Sequence, residues 1–292
     1  MDSVNNSLIK TVLFTGLALI AFAANSVLCR LALGEEMIDA SSFTAIRLLA
    51  GIIVLQVIIS LDSNKKELPA KGSWLASFML FLYAITFSFA YISLDTGTGA
   101  LILFGSVQIS MLLLSLVSGT RLHFTEWIGL ITAFAGFVYL VLPGVTAPSA
   151  TGFLLMTIAG IAWGVYSLKG RDSKKPLMDT AYIFLRTMPF VVVLVAVTYR
   201  NAVYSPEGLL LAIISGAITS GLGYTIWYIA LGGLSATQAS VLQLLVPVIA
   251  AFGGVLFVSE AITLRLTISA VMILGGILLV VSGKYFFQRM RS

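Results

Sequence analysis

The chain is poor in charge. Only 10% of its 292 residues are Asp, Glu, Lys or Arg, against roughly a quarter in a soluble domain. With 59% hydrophobic residues and a mean hydropathy of +1.05, this excludes an ordinary water-facing surface and leaves no room for a separate soluble domain. There is one cysteine, Cys29, so no intramolecular disulfide can form. The one histidine, His123, leaves no His/Cys cluster for a metal site. No P-loop pattern is present, which excludes an ATP-driven motor within the sequence. No Ser/His/Asp or Cys/His set suggests an enzyme, and no cofactor motif is found. The net charge of +5 does not point to nucleic acid, because the basic residues sit between apolar runs. Asn5-Asn6-Ser7 fits the glycosylation pattern, but chance explains it better on a terminus read as internal.

What is present is apolar sequence in spans of membrane length. A bilayer core about 30 Å thick takes roughly 20 apolar residues per helix. Ten such runs are read, at 11–33, 43–61, 73–94, 100–117, 124–142, 151–168, 180–197, 208–231, 236–258 and 263–286. Their length and lack of alternation exclude barrel strands. The first run is too long for a cleaved signal peptide and lacks a small-residue cleavage site, so it reads as an uncleaved signal anchor. The connections at 95–99 and 232–235 are short enough to force tight antiparallel pairs.

Orientation follows from the basic residues. With the N-terminus inside, Lys10, Lys65, Lys66, Lys71, Arg121, Lys169, Arg171, Lys174, Lys175, Lys284, Arg289 and Arg291 are cytoplasmic, twelve of the seventeen Lys and Arg. The other side has Arg30, Arg200 and Arg265 near helix ends and the acidic Glu35, Glu36 and Asp39. A multi-pass protein of the cell (inner) membrane with both termini cytoplasmic is expected.

The chain repeats at a shift of 139 residues. Arg47 falls on Arg186, Thr98 on Thr237, Ala100 on Ala239, Val107 on Val246, Gly136 on Gly275 and Gly144 on Gly283. Two units follow, 1–146 and 147–292. Each holds five spans, an odd number, so the second enters from the opposite side. The loop 34–41 is acidic and its counterpart at 169–175 basic, as inversion requires. Inverted repeats place a substrate near the midplane at their interface.

Candidate site residues come from polar and aromatic groups inside these spans. Arg47 and Arg186 each sit about 9 Å below the membrane edge, where a charge is costly without a partner. A gate or anion contact is one reading, and a structural role binding carbonyls at helix ends is the other. No Asp or Glu lies mid-span, since Asp95, Glu126, Glu207 and Glu260 fall at ends or turns. That argues against a simple carboxylate proton relay. The midplane polar groups are Asn25, Gln108, Gln238 and Gln243, each either interhelical glue or a solute contact. Tyr83, Phe87 and Tyr91 share one helix face, as do Tyr224 and Tyr228 with Trp227 beside them, and Trp163 and Tyr166 add to the set. Trp74, Trp127 and Tyr285 read as interfacial belt residues. Gly160 and Gly164 form a close-packing face, as do Gly129 and Ala133. Ser220-Gly221-Leu222-Gly223 and Pro247 are places where a helix can bend, although ordinary packing is the stronger reading.

These features resemble the drug/metabolite transporter superfamily, in its EamA-like ten-helix branch. The resemblance covers nearly the whole chain. It rests on the five-plus-five arrangement, the arginine early in spans 2 and 7, Ala162-Trp163-Gly164, and Ser235-Ala236-Thr237-Gln238-Ala239 leading through Leu244 to Pro247. The first half departs from the pattern, with Phe22-Ala23 in place of Trp-Gly and Gln108 in place of proline. The resemblance implies an all-α bundle of ten transmembrane helices around a central cavity, and transport of amino acids, related metabolites or toxic compounds. The cavity positions it implies are Asn25, Tyr83, Phe87, Gln108, Trp163, Tyr166, Trp227 and Gln243. The expected partners are a small-molecule substrate and the lipid bilayer, with no nucleic acid. An exporter of aromatic or cationic drugs, and a non-transport membrane enzyme or scaffold, stand as alternatives.

Overall fold

A computed structural model of the chain describes residues 2–61, 73–117, 124–142, 144, 147–170, 173, 175–234 and 236–289. Lys65, Lys66, Lys71, Arg121, His123, Arg171, Lys174 and Arg291 lie outside the described residues, as do the side chains of Gln238, Lys284, Tyr285 and Arg289. The helices are α1 (Asp2–Gly34), α2 (Ala40–Leu61), α3 (Trp74–Tyr91), α4 (Thr96–Val117), α5 (Phe124–Val141) and α6 (Ala150–Gly170). Then come α7 (Pro176–Leu185), α8 (Met188–Thr198), a 3-10 turn (Tyr199–Asn201), α9 (Pro206–Ile214) and a π segment (Ser215–Leu222). The last four are α10 (Gly223–Leu231), α11 (Ala236–Gln243), α12 (Leu245–Phe257) and α13 (Leu264–Arg289).

Among the described residues the structure is 86% helical with no sheet. Among the described residues, seven helical segments are long and apolar enough to cross a membrane. Three shorter apolar helices, Thr96–Met111, Val241–Phe257 and Leu264–Val280, complete the set. They occupy the ten stretches expected from hydropathy, so the all-α multi-helix membrane fold is borne out. One boundary moves. The expected connection at 95–99 is observed at 92–95, because α4 already begins at Thr96. The Glu260 carboxylate accepts the Thr96 amide at 2.8 Å and satisfies a donor of the first helical turn. Gly99 lies within α4, where an added Cβ would stand 2.5 Å from the Tyr91 ring.

Three spans are interrupted. Proline has no amide to donate, and its ring clashes with the carbonyl four residues earlier. Pro189 therefore denies Leu185 its partner, and α7 stops at Leu185. Pro247 does the same to Gln243, and α11 stops there. The third interruption is the π segment, rich in small residues. There Gly216 lies against the Arg47 carbonyl so closely that an added Cβ would overlap it. A Cβ on Gly51 of α2 would reach to 2.5 Å from Phe184. Small residues thus let α2 and the π segment meet backbone to backbone.

Elsewhere α3 packs on α6, α4 on α6 and α12, α1 on α10 and α12, and α5 along α13. Gly129 faces the Gly276 carbonyl, 2.5 Å from where its Cβ would be, and Gly160 the Leu103 carbonyl at 2.7 Å. Val197, Leu256 and Phe134 point outward, as lipid-facing residues do. Trp74 and Trp127, expected at the interface, are exposed at the starts of α3 and α5.

Candidate functional site

Arg47 stands two turns into α2 and is 1% exposed. Its Nε donates to Ser220 Oγ at 3.1 Å, and Nη2 donates to the hydroxyls of Tyr83 and Tyr224, both at 3.2 Å. The guanidinium lies over two rings, 4.9 Å from the centroid of Phe87 and 5.2 Å from that of Tyr83. The buried Nη1 has no hydrogen-bond partner. Ion pairs among the described residues are Arg30–Asp95 and Arg30–Glu260, so no carboxylate balances Arg47. An arginine stays charged in a protein interior, and a charge taken out of water is expensive unless paired.

Asn25 extends the network into α1. Its Nδ2 donates to the Tyr83 hydroxyl at 3.4 Å, and its Oδ1 accepts from Ser215 Oγ at 2.6 Å and Thr219 Oγ1 at 3.1 Å. One polar cluster therefore ties α1, α2 and α3 to the π segment and α10. Aromatic rings cover one side of it. Trp163 packs on Tyr224, Tyr83 and Tyr166, with centroids at 4.7, 5.0 and 5.2 Å. Phe22 lies 6.0 Å from Trp163 and 5.7 Å from Trp227.

Beyond Trp227 is a cavity of about 230 Å³ between α4, α6, α10 and α11. Gln108 and Gln243 line it, with Met111, Ser167, Leu231 and Leu234. It lies toward the end of the bundle where α6 and α10 finish and α11 begins. The Phe22, Trp163 and Trp227 rings divide it from the Arg47 network.

The opposite end is tied together by polar contacts. Arg30 Nε meets Glu260 Oε1 at 3.1 Å, and Nη2 approaches Asp95 Oδ1 at 3.7 Å. Arg30 Nη1 also donates to the carbonyls of Tyr91 and Ile92, both at 3.2 Å. A second clasp joins the α1–α2 loop to the loop before α9. Asp39 Oδ1 accepts the amides of Ser41 and Ser42, and Oδ2 accepts that of Val203, all at 3.0 Å. The Ser205 amide donates to the Met37 carbonyl at 2.7 Å. Burial pushes the Asp39 carboxyl up, but bonds from the Ser42 hydroxyl and from the Ser42, Val203 and Ser41 amides outweigh it and hold the group below its ordinary value.

The expected cavity positions divide into two tiers. Asn25, Tyr83 and Phe87 gather around Arg47, whereas Gln108, Trp227 and Gln243 line the cavity. Trp163 and Tyr166 stand between. Arg186 is elsewhere. It is half-buried, with its guanidinium 5.3 Å over the Trp74 ring, so the shared repeat position has two environments. Arg47 bonds hydroxyls rather than helix-end carbonyls. That carbonyl role falls to Arg30 and to Arg265, which donates to the Leu140 and Leu142 carbonyls. Residues missed among the cavity positions are Tyr224, Ser220, Ser215, Thr219 and Phe22. The four-residue spacing of Ser215 and Thr219 in an apolar span was the available signal.

The model of the EamA-like transporter family matches residues 150–282. The chain is also 46% identical, over 251 residues, to an uncharacterized protein of Pseudomonas aeruginosa, covering 86% of this chain and 87% of that one. The chain belongs to the EamA-like transporter family. As an EamA-like protein of the drug/metabolite transporter superfamily, it is a multi-pass membrane transporter, with a small-molecule substrate and a lipid surround. A crystal structure 18% identical in sequence shares the fold, with a TM-score of 0.61 over 95% of this EamA-like chain and 99% of the other.

Proposed function

We propose that the protein carries small metabolites such as amino acids across the cytoplasmic membrane by alternating access, as an exporter or facilitator. The observation that carries this reading is the buried Arg47–Tyr83–Tyr224–Asn25 network, with a cavity leading toward it from one end and ion-pair closure at the other. Asn25, Tyr83, Phe87, Trp163 and Tyr166 form the inner binding wall, and Gln108, Trp227 and Gln243 the approach. Two inverted units, 1–146 and 147–292, would pair span 3 with span 6 as span 8 pairs with span 1. The packing of α3 on α6 and of α10 on α1 supports that relation. The positive-inside distribution supports a cytoplasmic cavity end, with both termini on the same side. Arg47 itself argues against a cationic drug as the principal solute, since a second cation there meets an unbalanced charge.

The test is counterflow of a labelled amino-acid mixture into proteoliposomes of the pure protein, with and without a pH gradient. Exchange indifferent to the gradient is the expected result, in keeping with spans that lack mid-membrane carboxylates. Exchange driven by the gradient would replace the facilitator with a proton-coupled carrier, and no exchange at all would return weight to a non-transport role.

A further inference from the structure

We propose that the network around Arg47 is a carboxylate site, and that the preferred solute is a monocarboxylate with an apolar or aromatic body and no ammonium group. This rests on the carrier reading above and, within its small metabolites, puts deaminated acids in place of amino acids, so an amino-acid mixture should exchange only slowly beside them. The census of donors and acceptors carries it. A guanidinium has five N–H donors and no acceptor, and Nη1 of Arg47 is buried with nothing to receive its protons. Three hydroxyls around it, those of Ser220, Tyr83 and Tyr224, accept from Arg47. The Tyr83 and Tyr224 hydroxyls bond each other, which uses one of their two protons, while among the described residues the other phenol proton and that of Ser220 have no bonded acceptor. Unused donors are therefore gathered around one buried guanidinium with its full positive charge beside them. Buried donors left unpaired in a native structure call for an explanation, and an incoming carboxylate would satisfy them with charge-assisted bonds.

The same census disfavours an amine. The acceptor nearest at hand, Asn25 Oδ1, already takes two hydroxyls. The Tyr83 oxygen takes Arg47 and Asn25. The faces of Phe87 and Tyr83, which would suit a cation, are occupied by the guanidinium. A zwitterion would thus bring its ammonium to a site with no carboxylate and a fixed like charge. The apolar body of the acid has Trp163 to pack on as it passes from the cavity past Trp227.

Three probes with one ring and three charge states test this in proteoliposomes of the full chain: phenylpyruvate, phenylalanine and phenethylamine. Phenylpyruvate should exchange at least about tenfold faster than phenylalanine, and phenethylamine should not exchange. Tyr224→Phe and Ser220→Ala each remove one hydroxyl donor without emptying the core. Each should raise the KM for phenylpyruvate about three- to tenfold in protein that still folds and melts cooperatively, and the two effects should compound. Arg47→Gln should abolish exchange of the acid. Phenylalanine or phenethylamine exchanging as fast as phenylpyruvate would overturn the proposal, as would Tyr224→Phe and Ser220→Ala carriers with wild-type KM. If an amino-acid mixture exchanges and phenylpyruvate neither exchanges nor competes, the carboxylate proposal fails while the carrier stands. If nothing exchanges, the carrier reading falls with it.

Discussion

Glu260→Gln should open the end of the protein that is closed by Arg30. Glu260 has two duties there: Oε1 receives Arg30 Nε at 3.1 Å and Oε2 receives the Thr96 amide at 2.8 Å. The amide variant keeps an oxygen for one of these and loses the charge that strengthens both. A hydrogen bond to a charged group contributes about 1.5–3 kcal/mol. The side chains are 20% and 12% exposed, so solvent screening lowers the loss, to about 1–2 kcal/mol. At 1.36 kcal/mol per decade the closed state should lose about 5- to 30-fold in population against the open one. Cys29 supplies the readout. It is the only cysteine, 0% exposed, and directly precedes Arg30 in α1. In detergent-purified protein at low salt, maleimide labelling of Cys29 should speed up by that factor. In wild type, 1 M salt should produce part of the same increase, since the screening length falls to about 3 Å. Unchanged labelling in a Glu260→Gln protein that melts like wild type would refute the assignment of this cluster as a lock.

Three further outcomes follow from the geometry. The Asp39 clasp stabilises the ionised carboxyl, so its contribution is complete at neutral pH and disappears as pH falls through the depressed native value; Asp39→Asn should melt lower at pH 7 and lose the part of the wild-type acid dependence that lies below the ordinary carboxylate range. Gly216→Ala should cost at least about 1–3 kcal/mol by driving the π segment off the Arg47 carbonyl, read as lost yield and a lower Tm, whereas Gly16→Ala, with nothing within 4 Å of the added Cβ, should be neutral. Gln108→Ala and Gln243→Ala should each slow counterflow severalfold, and Tm within a degree or two of wild type with normal flux in both would remove the amides from the transport path.

The membrane fold was legible because hydropathy and run length act locally, and the ten stretches follow directly from them. Aromatic stacking along α3 was equally readable: the four-residue spacing of Tyr83, Phe87 and Tyr91 becomes centroid distances of 5.2 and 4.8 Å. What the repeat could not reveal was that Arg47 and Arg186 have different partners. Tyr224 lies 177 residues from Arg47 in sequence, and no periodicity encodes such a contact. For the same reason the expected cavity residues read as one set. Sequence places Asn25 and Gln108 both in mid-span, but the aromatic layer between their two tiers arises only when α1, α6 and α10 pack together. Pro189 illustrates a different gap. Its effect on α7 follows from proline chemistry alone, yet the apolar character of 180–197 as a whole concealed the break.

The unequal surroundings of Arg47 and Arg186 also constrain how the two faces of the membrane are served. If the halves were interchangeable, a solute would be held equally well from either side. Here one arginine is enclosed by phenols and the other leans on an interfacial indole, so half-saturation should differ between the two sides. Microscopic reversibility then fixes the compensation: in an uncoupled carrier, the side with tighter capture must have the proportionately slower maximal rate. Structural asymmetry of this kind makes a kinetic rectifier at low solute concentration on one side, but it leaves the final distribution untouched. Net movement through an uncoupled carrier of this kind is therefore powered by the solute's own gradient, and ceases when the two sides are equal in electrochemical potential.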